Sequence, residues 1–418
     1  MTKVEGFSGL ALALASLAVA TASAEILDRP TGFRIGERMT LRPYVSASAT
    51  WDSNPGGRHT GASGDMMWTV SPAFNLDYHD DNWSLVLNGH YSYHAYTKSK
   101  NVTRHNQHNY GENLRWNWAN SKGAEKGWSL MLAESYQRIT MADDMSLGDG
   151  RSYNADRSQF DVNGAVQRRF NENWHSELRG GYYNLDYEND TDHEDVGALY
   201  GWQRWLVGAQ AGFAPSRWTD ILVSGTYHGY NQDNAGRDGV GRRSYGYTLQ
   251  GGLGSYATER ISYRALAGWS RFNYGGGSST ANGFVYTVSG NWRISDTLNT
   301  MLLATSYYQP SEREMSSRSR VDALSWGLAK SLVRGKLRAK LDLTYRHETH
   351  EHVARSSGVD YDIDVTTARF GLDYTLNRFF ALFAYGEYLR SWNSESHKNS
   401  GYCDYDRWRV TFGGRLTY

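Results

Sequence analysis

The chain closes on YCDYDRWRVTFGGRLTY, Tyr402 to Tyr418, and these residues alternate strictly. Counted back from the end, Tyr418, Leu416, Gly414, Phe412, Val410 and Trp408 share one face of an extended segment. Thr417, Arg415, Gly413, Thr411, Arg409 and Arg407 share the other. A period of two residues is strand geometry. One apolar, aromatic-punctuated face and one charged face is what a wall between lipid and water requires. The stretch reads as the closing strand of a transmembrane β-barrel.

Upstream, the same pattern recurs in segments of similar length. They are 40–51, 66–79, 83–96, 105–119, 126–140, 157–170, 174–187, 200–213, 218–230, 242–257, 260–274, 281–294, 298–310, 319–333, 336–350, 361–376 and 379–393, which with 402–418 make eighteen strands. The expected fold is all-β, an antiparallel up-and-down barrel. The count is even, as bacterial single-chain barrels require. Sixteen or twenty strands remain compatible with 105–119 and its longer turn. Connections alternate between tight turns, such as Asn171-Glu172-Asn173, Ser295-Asp296, Arg334-Gly335 and Asn377-Arg378, and polar loops at 52–65, 141–156, 188–199, 231–241 and 351–359. Short periplasmic turns and long outer loops would place both termini in the periplasm.

Three strands show their faces plainly. In 336–350, Leu337, Ala339, Leu341, Leu343 and Tyr345 should meet lipid, while Arg338, Lys340, Asp342, Thr344, Arg346, Glu348 and His350 point inward. In 281–294, Phe284, Tyr286, Val288, Gly290 and Trp292 face out. In 83–96, Trp83, Leu85, Leu87, Tyr91 and Tyr93 do so, against Asn88, His90, Ser92 and His94. The segments 126–140 and 379–393 are apolar on both faces, and their orientation stays open.

The first 24 residues carry Lys3, an apolar run from Leu10 to Ala20 and the small-residue site Ala22-Ser23-Ala24, and read as a secretory signal peptide. A short polar periplasmic segment at 25–39 then precedes the barrel at 40–418. No stretch reaches the ~18 apolar residues of a spanning helix. The 15 Trp, 30 Tyr and 44 Gly suit strands with one polar face, and the balance of 44 basic against 44 acidic residues argues against a nucleic-acid partner. One cysteine, Cys403, excludes an internal disulfide framework. Only a closed barrel satisfies strand backbones in lipid, so an exported chain of this kind belongs in the bacterial outer membrane, among its lipid and lipopolysaccharide. A propeller or β-helix would show blade motifs or nonapeptide repeats, and neither is present.

Some eighteen strands enclose a water-filled lumen unless something plugs it. The longest connections, of sixteen and fourteen residues, are too short for a plug domain. A channel for polar solutes is the expected function, either a general diffusion porin or a specific conduit. The alternative is a closed structural barrel that binds an extracellular ligand or partner through its outer loops. Lumen-lining candidates are Arg293, Arg338, Lys340, Asp342, Arg346, Glu348, Arg369, Asp373, Arg409 and Arg415, with Arg115, Asp161, Arg169, Glu177 and Arg179 beside them. The mixed signs imply no strong ion selectivity. The Arg-rich run from 319 to 418 is the candidate solute-guiding wall.

No catalytic, cofactor or metal site is expected, and the chain does not read as an enzyme. His90 and His94 stand about 13 Å apart on a strand, too far to chelate one ion as a local pair. The acidic loops 141–156 and 188–199 offer oxygen ligands of the kind calcium takes. QDNAGRDG at 232–239 departs from a calcium loop in spacing and lacks its final Glu.

LRPYVSASATWDSNPGG, Leu41 to Gly57, resembles the opening of the outer-membrane β-barrel porins associated with exopolysaccharide production and export, whose first strand also ends in an aromatic-Asp-Ser/Asn-Asn turn. The final GGRLTY is similar to the signal read by the barrel-assembly machinery. The resemblance implies a barrel that passes polysaccharide or oligosaccharides beside periplasmic polysaccharide-export proteins. It also implies a hydrophilic lumen punctuated by aromatics such as Tyr96 and Tyr183. No run of strands is plainly smoother than the rest, so monomer and trimer both stay open.

Overall fold

A computed structural model describes residues 32–418 apart from 56–61, 99–105, 121–125, 141–155, 189–200, 217, 233–241, 256–259, 275–279, 311–316, 334–335, 353–360 and 394–404. The signal peptide, Cys403 and the acidic loop segments lie outside the described residues. Nineteen strands form one sheet. After a short β1 (Phe33–Ile35) come β2 (Met39–Asp52), β3 (Asp65–His79), β4 (Trp83–Tyr96), β5 (Asn106–Ala119), β6 (Gly127–Thr140), β7 (Asp156–Arg169), β8 (Trp174–Glu188), β9 (Trp202–Ser216) and β10 (Thr219–Gln232). The second half comprises β11 (Arg242–Gly254), β12 (Ile261–Asn273), β13 (Thr280–Ser295), β14 (Leu298–Pro310), β15 (Ser317–Leu332), β16 (Leu337–His352), β17 (Tyr361–Thr375), β18 (Phe380–Asn393) and β19 (Tyr405–Thr417).

Each strand from β2 onward pairs antiparallel with the next, and β19 returns to pair with β2 from Arg409↔Asp52 to Thr417↔Tyr44. The wall is therefore a closed barrel of eighteen strands, β2 to β19, as the alternation predicts. Closure pairs the edge that would otherwise template aggregation. A strand of 14 residues, such as β2, is about 46 Å long at ~3.3 Å per residue. Tilted by ~40°, it crosses an apolar band ~25 Å tall with length to spare.

The sheet faces match the sequence reading. Trp408, Val410, Phe412, Leu416 and Tyr418 are exposed on the outer wall, whereas Arg407 is buried within. Phe284 and Trp292, Leu343 and Tyr345, and Tyr91 are likewise outward, and Thr287, Glu348, His350 and His94 are buried inside. Toward the loop end the apolar band gives way to an outward polar belt. There Tyr345 and His347 contact Asp364 at 2.6 and 2.9 Å, and Tyr388 donates to Asp406 at 2.9 Å.

The two ambiguous segments now have an orientation. On β6, Trp128 and Leu132 are exposed on the outer face and Met131 is buried in the lumen. On β18, Leu382 faces out, and Phe383, Tyr385 and Glu387 take the inward positions. Inward apolar residues in both strands erased the contrast that alternation depends on.

Part of the N-terminal segment 25–39 falls among the described residues. Phe33–Ile35 pairs with Met39–Leu41 in a small hairpin, turned at Gly36 with φ of 71°. That φ lies in the left-handed region, where glycine escapes the steric cost other residues meet. β1 takes the slot on β2 just below the end of β19, and Phe33 stacks on Tyr418 with centroids 4.4 Å apart. Phe33 thus meets the C-terminal Tyr418 at the turn end of the seam.

Candidate functional site

The inner surface has two unlike halves. Along β8 to β12 the wall bends sharply enough for side chains to meet across intervening strands. His175 on β8 reaches Asp220 on β10 at 2.8 Å, Arg179 on β8 donates to Thr226 on β10 at 2.8 Å, and Arg264 on β12 bonds Gln210 on β9. Strands two apart in a flat sheet are ~9.6 Å apart, so such contacts need curvature and a bare backbone between them. Glycine supplies the bare backbone: a Cβ at Gly212 would sit 2.1 Å from His175 Nε2, and one at Gly208 2.7 Å from Arg179 Nε. Toward the loop end of this half, Tyr183, Leu185, Trp202, Tyr230, Phe272 and Val285 pack into a buried cluster.

Tyr183 and Tyr96 do point inward, but they are covered. Tyr183 packs on Trp202 with centroids 4.6 Å apart, and Tyr96 packs with Met67. Neither offers a free ring face. Asp161, Arg169, Glu177 and Arg179 are inward and buried as well. His94 is tied to Thr69 at 2.9 Å and Asn109 at 3.2 Å, and His90 is half-buried.

The other half, β13 to β19 with β2 to β5, is open toward the turn end and buried toward the loop end. The buried level includes Thr50, Asp52, Asp65, Met67, His94, Gln107, Val321, His350, Ile363, Leu389 and Arg407. Nearer the turn end, inward side chains such as Tyr44, Asn88, Arg115, Asn291, Arg293, Lys340, Arg369 and Arg415 are half-buried or exposed. Among the described inward residues of these strands, exposure thus falls from the turn end to the loop end.

All ten lumen candidates take inward positions, and β16 to β19 bring nine of them together on one side. Arg293 stands apart on β13. Asp373 faces Lys340 at 3.3 Å and Arg415 at 3.9 Å and accepts from Tyr385 Oη at 2.6 Å. Glu387 pairs with Arg369 and lies 3.9 Å from Arg409. Arg409 also reaches Asp52 at 3.0 Å, which receives Arg407 Nε at 2.8 and 2.9 Å. Glu348 takes Arg346 and, at 3.0 Å, His350. Asp342 is half-buried near the same cations.

Asp52, Asp373 and Glu387 are thus each shared between two cations, and Glu348 between Arg346 and the His350 ring. The consequence shows in exposure: Asp52, Glu348, Glu387 and Asp373 side chains are 0%, 8%, 14% and 15% exposed, while Arg415 and Arg369 are 40% and 51% exposed. Among the described inward residues, Arg115, Arg293 and Arg369 are exposed and every carboxylate is buried or half-buried. The signs are mixed in sequence, but the charge that water sees is cationic.

Sequence reasoning missed Asp52, Phe383, Tyr385 and Glu387. Asp52 sits in the aromatic-Asp-Ser-Asn turn, where its carboxylate also accepts from Asn54 N at 3.0 Å. The signal for Glu387 was available. It lies opposite both Arg369 and Arg409 once the hairpins are registered.

A closed antiparallel wall with an apolar outside and a charged inside is the architecture of an outer-membrane β-barrel. The family described as "Putative beta-barrel porin 2" matches residues 29–417, and the chain belongs to it. That family is one of porins rather than enzymes. No curated protein matches the chain. Among solved structures it is similar to the siderophore receptor PirA from Acinetobacter baumannii, at 8% identity and a TM-score of 0.45 over 92% of this chain and 81% of that one. It is also similar to the FrpB iron transporter from Neisseria meningitidis (8%, 0.43, 92% and 83%) and to OpdK with vanillate from Pseudomonas aeruginosa (12%, 0.42, 90% and 99%). Likeness at this level is to the strand wall and extends to no ligand.

Proposed function

We propose that this porin passes polar solutes across the bacterial outer membrane through the lumen bounded by β13 to β19 and β2 to β5, with saccharides as the solute class. The observation that carries the reading is the charged inner wall of those strands, whose side chains are more exposed toward the turn end. The turn end and both termini then face the periplasm, and the loops face outward, by the usual asymmetry of such barrels. The resemblance of Leu41–Gly57 to porins of exopolysaccharide export supports saccharides over smaller ions. A loop end whose inward side chains are buried suits a guided conduit better than an unspecialised pore.

Swelling of proteoliposomes containing the refolded barrel tests this reading. Uptake of di- to tetrasaccharides above protein-free vesicles is expected, and it should fall with solute size. Swelling no faster than in empty vesicles for every solute would refute it and favour a closed barrel that works through its loops.

A further inference from the structure

The inner wall of these strands holds a second feature that composition does not reveal. Phe383 and Tyr385 are inward neighbours on β18, half-buried, with ring centroids 5.2 Å apart and planes at 27°. Each ring lies over a glycine of an adjacent strand. A Cβ at Gly371 on β17 would meet Tyr385 Cδ1 at 2.6 Å, and a Cβ at Gly413 on β19 would meet Phe383 Cζ at 2.3 Å. Without a side chain beneath them, the rings lie along the wall and turn a face toward the lumen. Tyr385 is also anchored, its hydroxyl donating to Asp373 at 2.6 Å. These rings differ from Tyr183 and Trp202, which are consumed in packing.

The cations stand around this platform. Arg369 and Glu387 pair just above it toward the loop end, and Arg415 and Lys340 share Asp373 at its turn-end side. Arg415 is registered with Ala381, the inward residue next to Phe383, and Arg369 with Glu387, the inward residue next to Tyr385. From Arg415 to Arg407, inward cations recur along β19 over eight residues, about 26 Å of strand. Arginine presents a planar fork of donors suited to carboxylate, and it is weakly hydrated enough to give up water for one. Aromatic faces bind apolar surface and tolerate polar edges. A pair of rings flanked by guanidinium groups fits a chain whose repeat has a C–H face and a negative group.

We infer that Phe383, Tyr385, Arg369, Arg415 and Lys340 form a binding subsite for an acidic saccharide, a chain bearing carboxylates, rather than a neutral one. The inference rests on the channel reading for its biological sense but not for its test. The subsite collects anionic sugar on the turn-end side of the lumen. Carboxylates Asp373 and Glu387 hold the cations in place, and a bound sugar competes for the cations' exposed edges.

The test is isothermal titration of the refolded full-length barrel in detergent with tetragalacturonate, and with maltotetraose as the neutral counterpart. Tetragalacturonate should bind at least tenfold more tightly, and its affinity should fall as salt is raised. An Arg369→Gln/Arg415→Gln variant should lose tenfold or more for the acidic sugar, a larger loss than for maltotetraose. Phe383→Ala/Tyr385→Phe should weaken both sugars. Heat-modifiable gel migration identifies folded barrel, and Arg369→Lys/Arg415→Lys, which keeps the charge, should recover part of the affinity. Equal affinity for the two sugars, or tetragalacturonate binding indifferent to the Arg→Gln changes, overturns the subsite. Selective binding by a barrel that passes no solute would uphold the subsite and sink the channel reading. Permeation without discrimination would do the reverse.

Discussion

Asp52→Ala should unfasten the barrel seam, and the structure sets the scale. The Asp52 carboxylate is fully buried and accepts Arg407 Nε at 2.8 and 2.9 Å and Arg409 Nε at 3.0 Å, with Asn54 N at 3.0 Å. Arg407 is itself only 2% exposed, and its backbone neighbour Trp408 donates to Ser53 Oγ at 2.7 Å. Arg409 retains Glu387, while the buried Arg407 loses the carboxylate that accepts from its Nε. Breaking a buried pair from one side costs ~3–5 kcal/mol. The nine registered pairs between β19 and β2 are fewer than the twelve between β18 and β19, so the seam has less to spare. Urea unfolding of the barrel in micelles should show that loss, with the folded gel band weakened at moderate temperature. Arg407→Leu should cost less in the Asp52→Ala background than alone, since the two groups bond each other. A loss below ~1 kcal/mol for Asp52→Ala, the range of a surface pair, or additive losses in the double variant, would refute the latch.

The face assignment predicts that Leu341→Arg, on the outer wall of β16, costs ~2–4 kcal/mol of unfolding free energy, while Thr344→Arg, on its lumen face, costs under ~1. Two glycines should part company in the same assay. Gly268→Ala forces a Cβ to 1.9 Å from Leu249 O and should cost ~1–3 kcal/mol as overpacking, whereas Gly225→Ala meets nothing within 4 Å and should stay within ~0.5. Phe33→Ala removes the stack on Tyr418 and should cost ~0.5–1.5 kcal/mol, read as a lower urea midpoint.

The barrel was legible because its physics is written residue by residue. Leu337 to Tyr345 alternate with Arg338 to Arg346, and one strand face must be dry while the other is wet. Strand count and wall closure follow from repeating that test. The site was legible only in part. Arg369, Asp373, Arg409 and Arg415 could be placed on the inner face, but their pairing depends on hairpin register, which alternation does not fix. The platform was hidden because FFALFAYG is apolar on both faces, and because the orientation of Phe383 and Tyr385 is decided by Gly413 and Gly371 on other strands. The β1 hairpin escaped notice because three residues are too few to show a period. The unequal exposure of the two signs was not legible from counts, since carboxylates such as Asp373 and Glu387 are shared and covered while Arg369 is half exposed.

The most direct measurement is single-channel recording of the refolded mature barrel in a planar bilayer with a tenfold KCl gradient. Stable conductance steps with a reversal potential of the sign that marks chloride preference are predicted, shifting toward zero in Arg369→Gln/Arg415→Gln. Absence of steps from folded protein, or a reversal potential marking potassium preference, would contradict a hydrated lumen whose accessible charge is cationic.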